Sequence, residues 1–198
     1  DWVMRPLTTG EKLIFCIQAP RMSAAFQRAP YQSRTQLREL QNKRFLKILR
    51  HAYSSVPYYK KKYDAAGVNL SDVRSVDDIH KLPLLEKREL VEHFEELHSE
   101  HYRNRTSLHE FVTGGTTGET VRISHCRQSL HATLVSYHRA YAHMMNGTYC
   151  PSYRCAYVYT AKYPFESFFG RFPMDFIWTL DDVEVIKKKL LDSTPHLI

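Results

Sequence analysis

Three of the chain's seven glycines fall in one short stretch, "FVTGGTTGET" at residues 111–120, as Gly114, Gly115 and Gly118. Thr113, Thr116 and Thr117 are packed among them. Glycine frees the backbone for positive φ and lets another group approach it closely. Threonine adds a hydroxyl that can donate a hydrogen bond. A loop of bare amides and hydroxyls is a cradle for phosphate oxygens. The same residues also suit a tight hairpin turn with threonines along a strand edge. The stretch is not a Walker loop, because Gly118 is followed by Glu119 and Thr120 rather than by Lys and Ser/Thr opening a helix. Nor does it contain G-x-G-x-x-G.

Other residues invite chemistry with less support. His93, His98, His101 and His109 lie among several glutamates, and His98-x-x-His101 has a metal-ligand spacing. No helix fixes a further ligand beside them, so a solvated polar connection is the expectation, with no metal site. Cys16, Cys126, Cys150 and Cys155 are scattered. Cys150 and Cys155 lack a second pair to complete a zinc site, and the four read as reduced thiols of a cytoplasmic protein. No Ser/His/Asp arrangement is identifiable from spacing.

The elements that would carry these residues change character along the chain. Residues 1–33 read as an arm with a short helix near 10–17, punctuated by Pro6, Pro20 and Pro30. From Thr35 a helix begins, with Leu37, Leu40, Phe45, Ile48, Leu49 and Ala52 on one face. Pro57 interrupts it, and "YYKKKYDAAG" gives a second helix stopped by Gly67. Ser75 to Asp78 resembles a capping box, and a further helix is expected near 86–97. Then β-type runs appear on each side of the glycines, Phe111-Val112 before and Val121 and Ile123 after, so the loop joins strand to strand. A helix over 127–145 bears Leu130, Leu134, Tyr137, Tyr141 and Met144 or Met145 along one side and ends at Gly147. Strands follow at 153–160 and 172–180, with Asp181 or Asp182 capping a last helix. Strand, helix, strand, strand, helix points to an α/β sheet. The division expected is a helical N-terminal region over 1–104 and the first part of an α/β core over 105–198.

Composition sets the outer limits. The 198 residues suit one domain or a little more, and 43% apolar with 13% aromatic content excludes a disordered chain. Apolar runs such as "LIFCI" at 13–17 are too short to span a bilayer. The net charge of +7 favours an anionic partner. The cations cluster in "QNKRFLKILRH" and "YYKKKYD", which read first as solvated helix faces. No nucleic-acid module signature is present, so no specific nucleic acid is expected.

Thr113-Gly114-Gly115-Thr116-Thr117-Gly118 resembles the phosphate loop of adenylate-forming enzymes. Upstream, "LKILRHAYSSVPYYKKKYDAAGV" and "DVRSVDDIHKLPLLEKREL" resemble the N-terminal region of the phenylacetate–coenzyme A ligase family. Downstream, "YRCAYVYT" and "WTLDDVEVIKKKLLDSTPHLI" are similar to the branch associated with capsular-polysaccharide biosynthesis. The resemblance implies an ATP- and magnesium-dependent ligase, in which a carboxylate attacks the α-phosphate of ATP and a thiol, usually coenzyme A, takes the acyl group. It implies that Thr113, Thr116 and Thr117 donate hydroxyls to the phosphates, while Gly114, Gly115 and Gly118 offer amides. Tyr157 and Tyr159 would line an acyl pocket or belong to the core, and Arg154 would face an anion or a salt bridge.

Two departures from the family pattern stand out. Many relatives carry Lys-Pro where this chain has Glu119-Thr120. The family also continues for about as long again, so the adenine-binding motifs, the magnesium-binding acid and a catalytic lysine are expected beyond Ile198. The 198 residues alone are accordingly expected to be inactive, and an open sheet edge would favour aggregation or a homodimer. Two rivals remain at this stage. One is a non-catalytic relative serving as a binding or scaffold module. The other is a basic surface module for nucleic acid or membrane.

Overall fold

The structure is a computed structural model, and it describes residues 7–102, 108–113, 120–147, 150, 152–159, 169 and 173–196. Its elements are α1 (Thr9–Arg28), α2 (Arg34–Ser55), α3 (Pro57–Ala65), α4 (Lys87–Glu92), β1 (His109–Val112), β2 (Arg122–His125), α5 (Arg127–Met144), β3 (Cys155–Tyr159), β4 (Met174–Trp178) and α6 (Val183–Ser193). Short 3-10 turns stand at Ala29–Tyr31, Leu70–Asp72, Val76–Lys81 and Glu100–Tyr102. The fold is mixed helix and sheet with a helical N-terminal region, as the sequence predicts. Among the described residues, no helix is long and apolar enough to cross a membrane.

Contacts gather the chain into two compact units, Arg28–His125 and the combination of Asp1–Gln27 with Cys126–Ile198. This partition differs from the spans 1–104 and 105–198, which follow composition rather than packing. In the first unit, the start of α2 is fixed by Ser33. Its hydroxyl accepts from the Gln36 amide at 3.2 Å, and the Gln36 side-chain oxygen accepts from the Ser33 amide at 3.0 Å. Pro57 does not simply end α2 but occupies the first position of α3, where its missing N–H costs nothing. After α3, Gly67 takes φ +66°, and the Val68 amide reaches back to the Tyr63 carbonyl at 3.0 Å. Leu49, Tyr63 and Val73 form the buried cluster, with Phe45, Tyr53, Tyr59, Val68, Leu70 and Leu82 packed around it. The Val76–Lys81 turn docks on α2 through its first amide, which donates to the Asn42 side chain at 3.0 Å.

In the second unit, α1 packs on α5. Phe15 is fully buried with its ring edge-on to His131 at 5.2 Å, and Gln18 lies 3.3 Å from the same imidazole. Leu130, Leu134 and Val135 complete that face of α5. β3 and β4 pair in parallel, with Tyr157 opposite Phe176 and Tyr159 opposite Trp178. α6 packs against β4, and its N-terminus is capped by Asp182, whose carboxylate accepts from the Glu184 amide at 2.9 Å.

Several expectations need correction. The helix expected near 10–17 runs from Thr9 through Pro20 to Arg28. A Thr8–Glu11 capping box starts it, and Phe15 anchors it, which together offset the proline. The helix expected over 86–97 closes at Glu92, and turns follow. Leu37 and Ile48 are exposed rather than core, Ile48 to 67%, because α2 turns the adjacent Leu49 inward. Tyr137 and Met144 on α5 are likewise exposed. Among the described residues, the strands pair as two separate two-stranded sheets, an antiparallel β1–β2 and a parallel β3–β4.

Leu49 and Ile48 make this orientation testable. Leu49→Ala should destabilise the protein by about 2–5 kcal/mol, whereas Ile48→Ala should cost no more than about 0.5 kcal/mol. Chemical denaturation of the two variants checks it, and equal losses would contradict the packing.

Candidate functional site

β1 and β2 form the antiparallel hairpin that presents the Gly/Thr loop. His109 pairs with His125, Glu110 with Ser124, Phe111 with Ile123 and Val112 with Arg122. Thr113 closes the base of the loop. Its amide donates to the Val121 carbonyl at 2.9 Å, and its hydroxyl oxygen accepts from the Val121 amide at 3.1 Å. A side chain thus replaces the backbone acceptor in the last rung. The Thr113 hydroxyl keeps its own hydrogen, which can still be donated. Gly114, Gly115, Thr116, Thr117, Gly118 and Glu119 lie outside the described residues. Val121 and Leu108 are buried and anchor the return and entry segments.

Alternation gives the hairpin two faces. On one, Arg122 pairs with Glu110 at 2.7 Å, and its guanidinium lies 4.1 Å from the centre of the Phe94 ring. Beside it, the Ser124 hydroxyl lies 2.8 Å from Nε2 of His98. Nδ1 of His98 donates to the Phe94 carbonyl at 2.7 Å, so Nε2 is left to accept from Ser124. The segment after α4 therefore grips β2 twice. On the other face, His125 stands edge-on to Phe111 at 5.0 Å, and His109 is 1% exposed.

The gripping segment is itself held from α3. Glu89 accepts from the Glu86 amide at 2.8 Å, from the Tyr58 hydroxyl at 2.5 Å and from the Lys62 ammonium. The Glu86 amide first, then Lys62 and Tyr58, bring the Glu89 carboxyl down to about 2. The same carboxylate, with burial, pushes the Tyr58 hydroxyl up to about 12. The Tyr58 amide donates to the Glu96 carbonyl at 3.1 Å, and the Tyr58 ring stacks on His93 at 4.3 Å. A continuous chain of contacts runs from α3 through α4 and residues 93–99 to β2 and the base of the loop.

The histidine pair at 98 and 101 is not brought together as ligands. His98 is engaged by Phe94 and Ser124, and the His101 ring lies 5.8 Å from that of His51. Among the described residues, no group of three or more His, Cys, Asp or Glu side chains converges to hold a metal ion. Tyr157 and Tyr159 share one face of β3, 5.7 Å between ring centres, with Phe176 5.4 Å from Tyr157. They form an aromatic row in which Tyr157 is half-buried and Tyr159 is 45% exposed. Arg154 faces Asp175 at 3.6 Å, a salt bridge rather than an anion site.

Sequence reasoning missed Tyr58, Lys62, Glu89, Phe94 and Arg122. Glu86-x-x-Glu89 carried the one local signal, a capping-box spacing, and the structure forms that box. The partners of Glu89 on α3 lie 27 and 31 residues away and leave no local pattern.

The hairpin carries a pH prediction. Burial first, and the facing His109 second, hold the His125 imidazole below its ordinary value. Folding then favours the neutral ring. The stabilisation is full above the unfolded value of about 6.5 and is lost as pH falls through the lowered folded value. Acidification from about pH 7.5 to about 5 should lower Tm. His125→Gln should flatten part of that slope. An unchanged slope in the variant would contradict this assignment.

No protein-family model matches the chain. Part of it is similar to phenylacetate-coenzyme A ligases. The ligase of Escherichia coli (strain K12) is 41% identical over 59 residues, 30% of this chain and 14% of the ligase. That of Aromatoleum evansii is 40% identical over 62 residues, 31% of this chain and 14% of the ligase. That of Thermus thermophilus is 33% identical over 61 residues, again 31% and 14%. The matched part thus spans 14% of the length of each of these relatives. About a third of this chain is homologous to phenylacetate-coenzyme A ligases.

Proposed function

We propose that this chain carries the phosphate loop of an ATP-dependent acyl ligase. The reaction is the activation of a carboxylic acid as an acyl-adenylate, followed by transfer to a thiol such as coenzyme A. The observation that carries the reading is the joint one: a Gly/Thr loop mounted on a braced hairpin, in a chain similar to coenzyme A ligases. In the first step a carboxylate oxygen bonds to the α-phosphorus and pyrophosphate leaves. In the second, the thiolate sulfur bonds to the acyl carbon and AMP leaves.

The residues of this chain act at the pyrophosphate end. Thr113, Thr116 and Thr117 supply hydroxyl donors, and Gly114, Gly115 and Gly118 supply amides to the β- and γ-oxygens. Thr113, the one of these residues whose contacts are described, fits this use. Its hydroxyl accepts from the Val121 amide, so its hydrogen is turned to other acceptors. Each hydrogen bond to a charged oxygen contributes about 1.5–3 kcal/mol. Magnesium, when bound to the nucleotide, would neutralise part of the phosphate charge, and no residue of this chain is assigned to it. Tyr157 and Tyr159, with the Phe176 ring beside them, are proposed as an aromatic wall for the acyl group. A carboxylate at position 119 would be repelled by the phosphates unless it met solvent or magnesium, so Glu119 is the residue of the stretch that disfavours the reading. The capsular-polysaccharide branch, placement at the N-terminus of the ligase and a cytoplasmic setting belong to the same proposal.

Variants of the loop in the full-length protein test it. Thr116→Val and Thr117→Val keep the β-branched shape and remove the hydroxyl. Each should lower kcat/KM for ATP roughly ten- to a hundredfold, with Tm unchanged. Gly115→Val should lower it further, because a side chain restricts φ and fills the phosphate position. Glu119→Lys should leave ATP use unchanged or improved. Wild-type ATP kinetics in both threonine variants would leave the loop a plain hairpin turn and end the assignment.

A further inference from the structure

Folding brings together a serine and a histidine that lie 26 residues apart in the chain. The Ser124 hydroxyl is 2.8 Å from Nε2 of His98, and Nδ1 of the same ring is 2.7 Å from the Phe94 carbonyl. A carbonyl can only accept, so Nδ1 carries the ring hydrogen, and Nε2 of the neutral imidazole presents its lone pair to Ser124. The serine hydrogen therefore points at a base. A serine bonded to a histidine is by itself only a clip between two segments. The bond on Nδ1 distinguishes this pair, because a hydroxyl, a base and a third group orienting the base form the pattern of an activated nucleophile. The Phe94 ring adds to the seating, edge-on to the imidazole at 4.6 Å. Ser124 and His98 are both half-buried, held in place yet open to a small reagent.

Two charged groups share this face of the hairpin. Arg122 stands two residues along β2, its guanidinium over the Phe94 ring at 4.1 Å. It brings positive charge to the side where a carbonyl oxygen attacked by Ser124 would turn negative. Glu110 pairs with Ser124 across the hairpin and is tied to Arg122 at 2.7 Å. Its carboxylate disfavours an anionic electrophile. We propose that Ser124 is a nucleophile activated by His98, and that it takes the acyl group of an uncharged ester or thioester. Oγ bonds to the acyl carbon and its proton passes to Nε2 of His98. The bond to the leaving oxygen or sulfur breaks, and the proton follows the leaving group. Water then attacks the acyl-serine with Nε2 as base, which releases the carboxylic acid and restores the hydroxyl. The reaction uses no nucleotide, so it stands apart from the role proposed for the Gly/Thr loop.

Labelling the 198-residue chain with an uncharged fluorophosphonate, which stays on the serine that it modifies, tests this directly. Peptide mapping should place the label on Ser124, at a rate at least about a hundredfold above that of the same serine in the unfolded chain. p-Nitrophenyl acetate should compete with the label. His98→Gln retains a donor and an acceptor at this position but no base. It should slow labelling of Ser124 at least about a hundredfold, with Tm unchanged. Ser124 left unlabelled in the wild-type chain, or labelled no faster than in the unfolded one, would overturn the proposal whatever the variant does. So would labelling of folded His98→Gln at the wild-type rate, which would leave the Ser124–His98 bond a clip on β2. Labelling that p-nitrophenyl acetate does not slow would overturn the acyl class of the substrate. A lowered Tm in His98→Gln would leave the two wild-type rates, folded and unfolded, as the deciding measurement.

Discussion

A two-stranded hairpin with four residues in each strand does not stand alone in water. The strands on either side of the Gly/Thr stretch therefore depend on what packs against them. That packing comes through Arg122 against Phe94 and through Ser124 against His98. Both partners belong to residues 93–99, a segment of turns with little regular structure of its own. What fixes that segment is the seating of α4 on α3 by Glu89, Lys62 and Tyr58, together with the Tyr58 amide on Glu96. The three Glu89 contacts differ in kind. A backbone amide sets the carboxylate at the head of α4, an ammonium balances its charge, and a phenol fixes its direction. Removing the ammonium alone would leave a half-buried carboxylate with two neutral donors, so the parts of this hub act together.

Thr113 is where structural and chemical demands meet. A valine in its place would fit the strand but could not accept from the Val121 amide, and the last rung would keep only its backbone bond to the Val121 carbonyl. A serine could accept but would lack the β-branched shape that suits the strand end. Threonine satisfies both and retains a hydrogen to donate. In the proposed site the same residue would be both the closure of the hairpin and a phosphate donor.

Local chemistry made much of this legible. Ser75 and Asp78, Asp182, and Gly67 announce element ends through interactions spanning a few residues, and the structure forms all of them, whereas the Ser33–Gln36 box at the head of α2 went unread. The strand–loop–strand order around the glycines was equally plain from alternation. Three things were not. Pro20 looked like a stop, but the packing of Phe15 against α5, more than a hundred residues on, carries the helix through it. Leu49 and Ile48 are neighbours with similar hydropathy, and only the position of α3 decides which is core. The pairing of strands into two sheets depends on connections that hydrophobic pattern does not encode. Of the candidate site, the loop itself was visible as composition. The brace of Arg122, Phe94, His98 and Glu89 was not, because each of its long-range contacts joins residues that no short window contains together.

The central claim is that the amides and hydroxyls of residues 113–118 receive the oxygens of a polyphosphate. Titrating tripolyphosphate into the labelled protein, with backbone amide resonances followed by NMR, tests it without depending on the rest of a ligase. The account predicts saturable shifts concentrated at Gly114, Gly115 and Gly118, with smaller ones at Thr113 and Val121. Resonances of the three glycines that stay fixed, while those of the lysine-bearing helices move, would contradict it.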